Sequence, residues 1–189
     1  SARTVSRMVV ATDGGGLTAF VNVVFFPDVD ISNFKLGDRV TIKGHVQFQI
    51  LRDSAGNTTG YRQTLVADSI ELTPRLLAAF IKEDSNLYNG GVQADENEIL
   101  LFGRVSHVFD TTNGAVIITI QIPRTQGSFV DNCNVVCFKR QAEEALKLKK
   151  GDCILTYNVV RTRRNDKTET FEQNLICRDI LKIAGFENS

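Results

Sequence analysis

Apolar and polar positions alternate through most of this chain, in short runs rich in Val, Ile, Thr and Phe. A period of two carried by β-branched and aromatic residues predicts strands. The expected strands are Arg3–Ala11, Leu17–Phe26, Arg39–Leu51, Arg62–Leu72, Glu98–Phe109, Ala115–Ile122, Asn134–Phe138, Cys153–Arg163 and Thr170–Ile183. Asp13-Gly14-Gly15-Gly16, Ser54-Ala55-Gly56-Asn57 and Thr111-Thr112-Asn113-Gly114 read as turns between them. Two segments change to a helical period. One starts at Thr73-Pro74, a cap followed by Pro at the first helical position, and runs through Leu76, Leu77, Phe80 and Ile81. The other is Gln141–Leu148.

The pattern repeats. Leu36-Gly37-Asp38 precedes Lys150-Gly151-Asp152 by 114 residues, and each stands before a long strand. Gln63-Thr64-Leu65-Val66-Ala67-Asp68-Ser69-Ile70 matches Gln173-Asn174-Leu175-Ile176-Cys177-Arg178-Asp179-Ile180 at an offset of 110. Asn22-Val23-Val24-Phe25-Phe26 matches Asn134-Val135-Val136-Cys137-Phe138. The offsets differ only across loops and connections, as a duplicated fold predicts. The second half reads strand, strand, strand, helix, strand, strand, the order of an OB barrel. The first half ends in the same way but is one strand short if Leu17–Phe26 is its third strand. Either its first strand lies before Ser1, or Arg3–Ala11 is that first strand. The expected fold is therefore all-β with short helices, as two tandem five-stranded OB barrels. The divisions are an N-terminal domain at 1–74, a helix and linker at 75–96, and a C-terminal domain at 97–184.

Composition adds limits. No apolar run approaches the roughly 18 residues of a membrane span, and the N-terminus carries no signal-peptide pattern. A first residue of Ser suggests processing or excision from a longer chain. Net charge is zero, from 22 basic and 22 acidic residues. Residues 1–94 carry nine of each. Overall charge therefore gives no reason to expect a nucleic-acid partner, and any such reason must be local. Cys133, Cys137, Cys153 and Cys177 form no Cys-x-x-Cys pair, and His45 and His107 lie far from them in sequence. They read as buried, reduced thiols of a cytoplasmic protein, with no metal and no cofactor. No phosphate loop, zinc-protease motif or nucleophile elbow is present, so catalysis is not expected.

The local chemistry lies in the second half. Alternation along Asn134–Phe138 puts Val135 and Cys137 on one face and Asn134, Val136 and Phe138 on the other. With the first pair inside a barrel, Phe138 stands outside beside Lys139 and Arg140. An exposed aromatic among cations suits base stacking, worth roughly 1–3 kcal/mol per base. The same pattern also fits Phe138 packed beneath the helix. Arg161, Arg163, Arg164 and Lys167 form the densest basic cluster. Arg161 and Arg163 share a strand face and can follow a phosphate track, with Arg124 as a possible extension. A solvated hairpin fits equally well. Tyr157 and Phe171 lie on the last two strands. Phe26 is the first-half counterpart of Phe138, and Tyr61 flanks the first-half hairpin.

Three segments taken in order resemble bacterial single-stranded DNA-binding proteins. They are Val135-Val136-Cys137-Phe138-Lys139-Arg140-Gln141-Ala142-Glu143, Leu148-Lys149-Lys150-Gly151-Asp152 and Arg161-Thr162-Arg163-Arg164. Gly103-Arg104 resembles the family's first-strand Gly-basic pair, and the resemblance covers about residues 97–183. It implies an OB fold, oligomeric assembly and sequence-independent wrapping of single-stranded DNA in replication, recombination and repair. It gives Phe138 the stacking position, Arg161, Arg163 and Arg164 the basic fourth-strand positions, and Phe171 an aromatic at the start of strand five. Two barrels per chain resemble the family members that dimerise to give four. The chain departs from the family in having no Trp, with Asn132 and Asn165 at positions often held by Trp. It also ends without the acidic tip that recruits replication proteins. Two other readings stay open: a non-catalytic scaffold for a replication or DNA-transfer complex, and an RNA-binding module.

Overall fold

The computed structural model describes residues 5–13, 18–73, 97–123, 130–165 and 170–183. The strands are β1 (Ser6–Asp13), β2 (Thr18–Phe25), β3 (Val40–Arg52), β4 (Thr58–Leu72), β5 (Ile99–Asp110), β6 (Ala115–Pro123), β7 (Val130–Phe138), β8 (Cys153–Asn165) and β9 (Thr170–Lys182). A short helix, α1 (Arg140–Ala145), stands between β7 and β8. Each expected strand is present with shifted ends. The helix expected at Gln141–Leu148 closes three residues early. The helix expected after Thr73 and the 75–96 linker lie outside the described residues. No described helix is long and apolar enough to cross a membrane.

Strands β5 to β9 form a closed barrel in the order β5-β6-β7-β9-β8. Strand β5 closes it by pairing antiparallel with both β6 and β8. β7 and β9 run parallel, with Val135 opposite Leu175 and Val136 opposite Ile176. The first sheet has the order β1-β2-β4-β3, and its parallel pair sets Val23 opposite Leu65 and Val24 opposite Val66. These residues are the sequence counterparts of the barrel pairs, so the two halves share one register as well as one strand order. The chain is a tandem of OB-type units.

The turn before each long strand repeats as well. The Asp38 carboxylate accepts from the Lys35 N–H at 2.7 Å, and the Asp152 carboxylate from the Lys149 N–H at 2.8 Å. Gly37 and Gly151 take φ of 92° and 93°, a region open to glycine at little cost. Lys182 reaches Asp152 at 2.8 Å and holds its carboxyl below the usual range, with the Lys149 N–H adding to the effect. Each half also closes with a matching backbone bond, Thr73 N–H to the Arg39 carbonyl and Ile183 N–H to the Cys153 carbonyl, both 2.9 Å.

This pairing bears on one reading of the N-terminus. β1 holds the place of β6, the second barrel strand, so Arg3–Ala11 does not supply a first strand. Among the described residues no strand of the first sheet holds the place of β5, and that sheet is open where the second is closed.

The compact units also depart from a simple division at 74 and 97. One runs to Gln47 and resumes at Thr64, while Phe48–Gln63 groups with the residues from Asn97 onward. Two polar contacts tie this hairpin tip to β7. The Phe48 N–H donates to Asp131 Oδ1 at 3.2 Å. The Gln63 side-chain amide accepts from the Asn134 N–H and donates back to its carbonyl. Gln63 thus imitates a neighbouring strand at a part of β7 that β9 does not reach, and satisfies backbone groups there. Asn97 does the same for both backbone groups of Val160.

Inward positions of the barrel are mostly apolar, with Thr156 and Asn158 as fully buried polar exceptions on β8. Ile118, Ile120, Val135 and Ile154 are fully buried, each contributing about 1.5–3 kcal/mol of transfer free energy. All four cysteines are buried and unpaired. Burial, with the charge of Asp131 adding to it, pushes the Cys133 thiol up to about 12. Cys137, hydrogen-bonded to Cys177 and buried, also has its pKa raised, so it is held as a thiol.

Gly103 sits where β5 lies close against β6. A Cβ there stands 2.3 Å from the Gln121 carbonyl oxygen and 2.8 Å from the Ile120 side chain. Backbone blocks the first contact, so the strands must separate. Gly103→Ala is expected to lower barrel stability by about 1–3 kcal/mol, measured as a lower urea midpoint at an unchanged slope.

Candidate nucleic-acid interface

The outer surface of an OB barrel over its second and third strands, between the first hairpin loop and the fourth-to-fifth strand arm, is a common site for oligonucleotides. Here that surface belongs to β6 and β7. Residues paired across antiparallel strands share a face, so the register yields outward rows. Asn134 pairs with Thr119, Val136 with Ile117, and Phe138 with Ala115. The Thr119 hydroxyl donates to Asn134 Oδ1 at 2.8 Å. Alternation along β7 follows the sequence expectation, with Val135 and Cys137 buried inside and Phe138 outside.

Phe138 is 44% exposed. It is therefore not packed beneath the helix, which the sequence pattern had left open. Lys139 follows it with φ 51° and ψ −126°. That backbone is rare for a non-glycine residue and costs about 1–3 kcal/mol. It swings the chain from β7 straight into α1, leaving Phe138 at the rim of the sheet. Arg140 turns toward acidic neighbours, 3.5 Å from Glu144 and 3.6 Å from Asp179. Its charge is shared, whereas Lys139 is exposed at the rim.

The basic arm is the far end of β8 and β9. β5 pairs with β8 only over Cys153–Asn158, and beyond that β8 pairs with β9. Val160 points inward and is buried, so Arg161 and Arg163 share the outward phase. Arg163 is exposed and Arg161 half-buried. Asn174 stands opposite Arg161, and Glu172 opposite Arg163. An acidic residue across from Arg163 softens the field of the arm.

Other candidates fall elsewhere. Tyr157 lies on the β5–β8 side, opposite Leu100, and its hydroxyl donates to Glu98. It does not join Phe138. Phe26 stands just beyond β2 in the first unit and is half-buried. Tyr61, Arg164 and Phe171 lie on β4, β8 and β9, but their side chains, like residues Arg124 and Lys167, lie outside the described residues.

Sequence reading missed one prominent member of this face. Phe109, on β5, pairs with Ile117 and so shares the outward row of Val136, and it is 62% exposed. No simple alternation puts it there, because β5 carries one extra residue between Val105 and His107. Among the described residues, no group of three or more His, Cys, Asp or Glu side chains is placed to hold a metal ion.

No protein-family model matches the chain, and no curated protein sequence matches it. Solved structures do. The wild-type single-stranded DNA binding protein from Thermus aquaticus superposes with a TM-score of 0.57 at 12% identity, covering 98% of this chain and 81% of that one. A deletion variant of the same protein gives 0.58 at 13% identity, covering 97% and 82%. A small single-stranded DNA binding protein from Mycoplasma pneumoniae gives 0.37 at 18% identity over 48% of this chain and 97% of its own. The two Thermus aquaticus structures share the fold of nearly the whole chain, both units included.

A rim residue that is nearly half exposed contributes little to folding. Phe138→Ala is expected to move barrel stability by no more than about 0.5 kcal/mol, as surface substitutions do. Urea unfolding checks this, and a core role for Phe138 requires a loss of about 3–5 kcal/mol instead.

Proposed function

We propose that this chain binds single-stranded DNA without sequence preference and without catalysis, using the outer β6–β7 face and the β8–β9 arm. The observation that carries this reading is the exposed ring of Phe138 at the end of that face, on the same barrel as Arg161 and Arg163. Bases stack on rings whatever their identity, and cations take the phosphates, so such a face is tolerant of sequence. The likeness to single-stranded DNA binding proteins across both units supports it. In this reading Lys139, Arg164, Lys167 and Arg124 add further positive charge for phosphates. Phe171 adds a ring at the arm, Tyr157 borders the barrel on its β8 side, and Phe26 and Tyr61 give the first unit a weaker surface. The work served is replication, recombination or repair in a bacterial cytoplasm or nucleoid, or in a phage-infected cell, alongside replication proteins.

Labelled oligo-dT tests this by fluorescence anisotropy. Wild-type protein is expected to bind at low salt, with log affinity falling against log salt by about 0.7 per phosphate neutralised. A variant carrying Phe138→Ala and Arg163→Ala should lose about tenfold or more, the smaller end of one lost stack and one lost phosphate contact. No anisotropy change at micromolar protein overturns the proposal.

A second reading is a scaffold that assembles other proteins. The ion pairs at Arg140 and the placement of Glu172 opposite Arg163 favour it, since both spend positive charge within the fold. Under it the same double variant leaves oligo-dT affinity unchanged. Oligo-U in parallel tests RNA as the partner, because stacking and phosphate contacts discriminate poorly between the sugars.

Self-association belongs to the same proposal. On the β5–β8–β9 side, Phe102, Leu155 and Leu181 form one outward apolar row, with Leu100 beside it. Phe102, Leu181 and Leu100 are all exposed. Exposed apolar groups in contiguous rows mark association surfaces. Light scattering is expected to give twice the chain mass, four OB units per particle, and Leu100→Glu with Phe102→Glu should return it to the monomer mass.

A further inference from the structure

We infer that Phe109 is a second base-stacking position on the outer face, so that the barrel seats two separate bases of one strand. This rests on the single-stranded DNA reading and adds a residue and a geometry to it. The placement of Phe109 comes from one irregularity. Leu101, Gly103 and Val105 are buried, so strict alternation along β5 carries His107 and Phe109 into the interior. Ser106 is the extra residue of a bulge, lying between Val105 opposite Ile120 and His107 opposite Thr119. One inserted residue reverses every later side chain. Val108 then falls opposite buried Ile118, and Phe109 turns outward opposite Ile117.

The bulge bends β5, which also helps it meet both β6 and β8, and the same step leaves a Phe ring exposed. Bulges of this kind commonly re-aim a side chain at a working surface. The ring shares its row with Ile117 and Val136, and Phe138 stands one two-residue step further along β7. Neighbouring strands lie about 4.8 Å apart, and a two-residue step is about 7 Å, so the two ring anchors are separated by roughly 12 Å. That is too far to sandwich one base between them. It suits two bases, each on its own ring, with Ile117 and Val136 as an apolar floor. Asp110 pairs with buried Val116, on the opposite phase, so its carboxylate does not share the row of Phe109.

The chain has no Trp, so a single introduced Trp reports on its own position without background. Phe109→Trp and Phe138→Trp should each show quenched fluorescence when saturated with oligo-dT. Phe109→Ala and Phe109→Leu should each weaken binding about fivefold or more, the lower end of one lost stack, with unchanged urea midpoints. Quenching of the Trp at 138 but not at 109 overturns the inference and leaves the DNA reading standing. So does Phe109→Ala binding at wild-type affinity, and so does full rescue by Leu, which assigns the ring to apolar cover rather than stacking. Failure of wild-type protein to shift labelled oligo-dT overturns both together.

Discussion

The pairing of β5 with both β6 and β8 is the interaction on which the second unit depends. It turns an open sheet into a barrel and leaves no unpaired strand edge along the closure. Closure fixes an inside and an outside for every strand. Once those exist, the period of two converts each residue's place in the chain into a place in the core or on the surface. The close approach at Gly103 lets β5 reach β6, and buried Asn158 donates to the Ile99 carbonyl at 3.0 Å where β5 begins beside β8. The functional face follows from the same closure, because the outward rows of β6 and β7 are the remainder of a pattern whose other half is the core.

Where the register was continuous, the amino-acid sequence was enough to read it. Alternation from Asn134 to Phe138 put the right residues inside, and β7 has that pattern. The three offsets that link the halves predicted a duplicated fold. Their residues now stand at equivalent positions in both parallel pairs, Val23 with Leu65 and Val135 with Leu175. Loop-length changes left those registers untouched, since ladder pairing within a sheet does not depend on what connects its strands.

What stayed hidden depends on contacts remote in sequence or on single-residue breaks in period. The bulge at Ser106 has no composition of its own, so the exposure of Phe109 could not be inferred from alternation. Arg140 reads as a free cation next to Phe138, yet Asp179 meets it from a strand almost forty positions on. The grouping of the Phe48–Gln63 hairpin tip with the second unit rests on Asp131 and on the Gln63 amide at Asn134. Side-chain amides that stand in for strands give no periodic signal. The place of β1 became plain only from its partner, since β2 runs beside it as β7 runs beside β6.

Electrostatics gives the face its character as much as shape does. With equal numbers of acidic and basic residues, the chain has no net field to draw a polyanion from a distance. Attraction must then be short-ranged, within about a Debye length of 8 Å at physiological salt. Arg163 opposite Glu172 and Arg140 beside Glu144 reduce even the local field. Under those conditions the proposed binding draws a larger share of its affinity from stacking on exposed rings than from phosphate contacts. A binder of this kind loses less affinity with added salt than one with an uncompensated basic groove, because it releases fewer counterions per strand bound. Under the proposed binding, outward aromatic positions weigh more than the count of cations: a ring stacks on a base whatever the ionic strength, whereas Arg140 is already partly neutralised by Glu144 and Asp179.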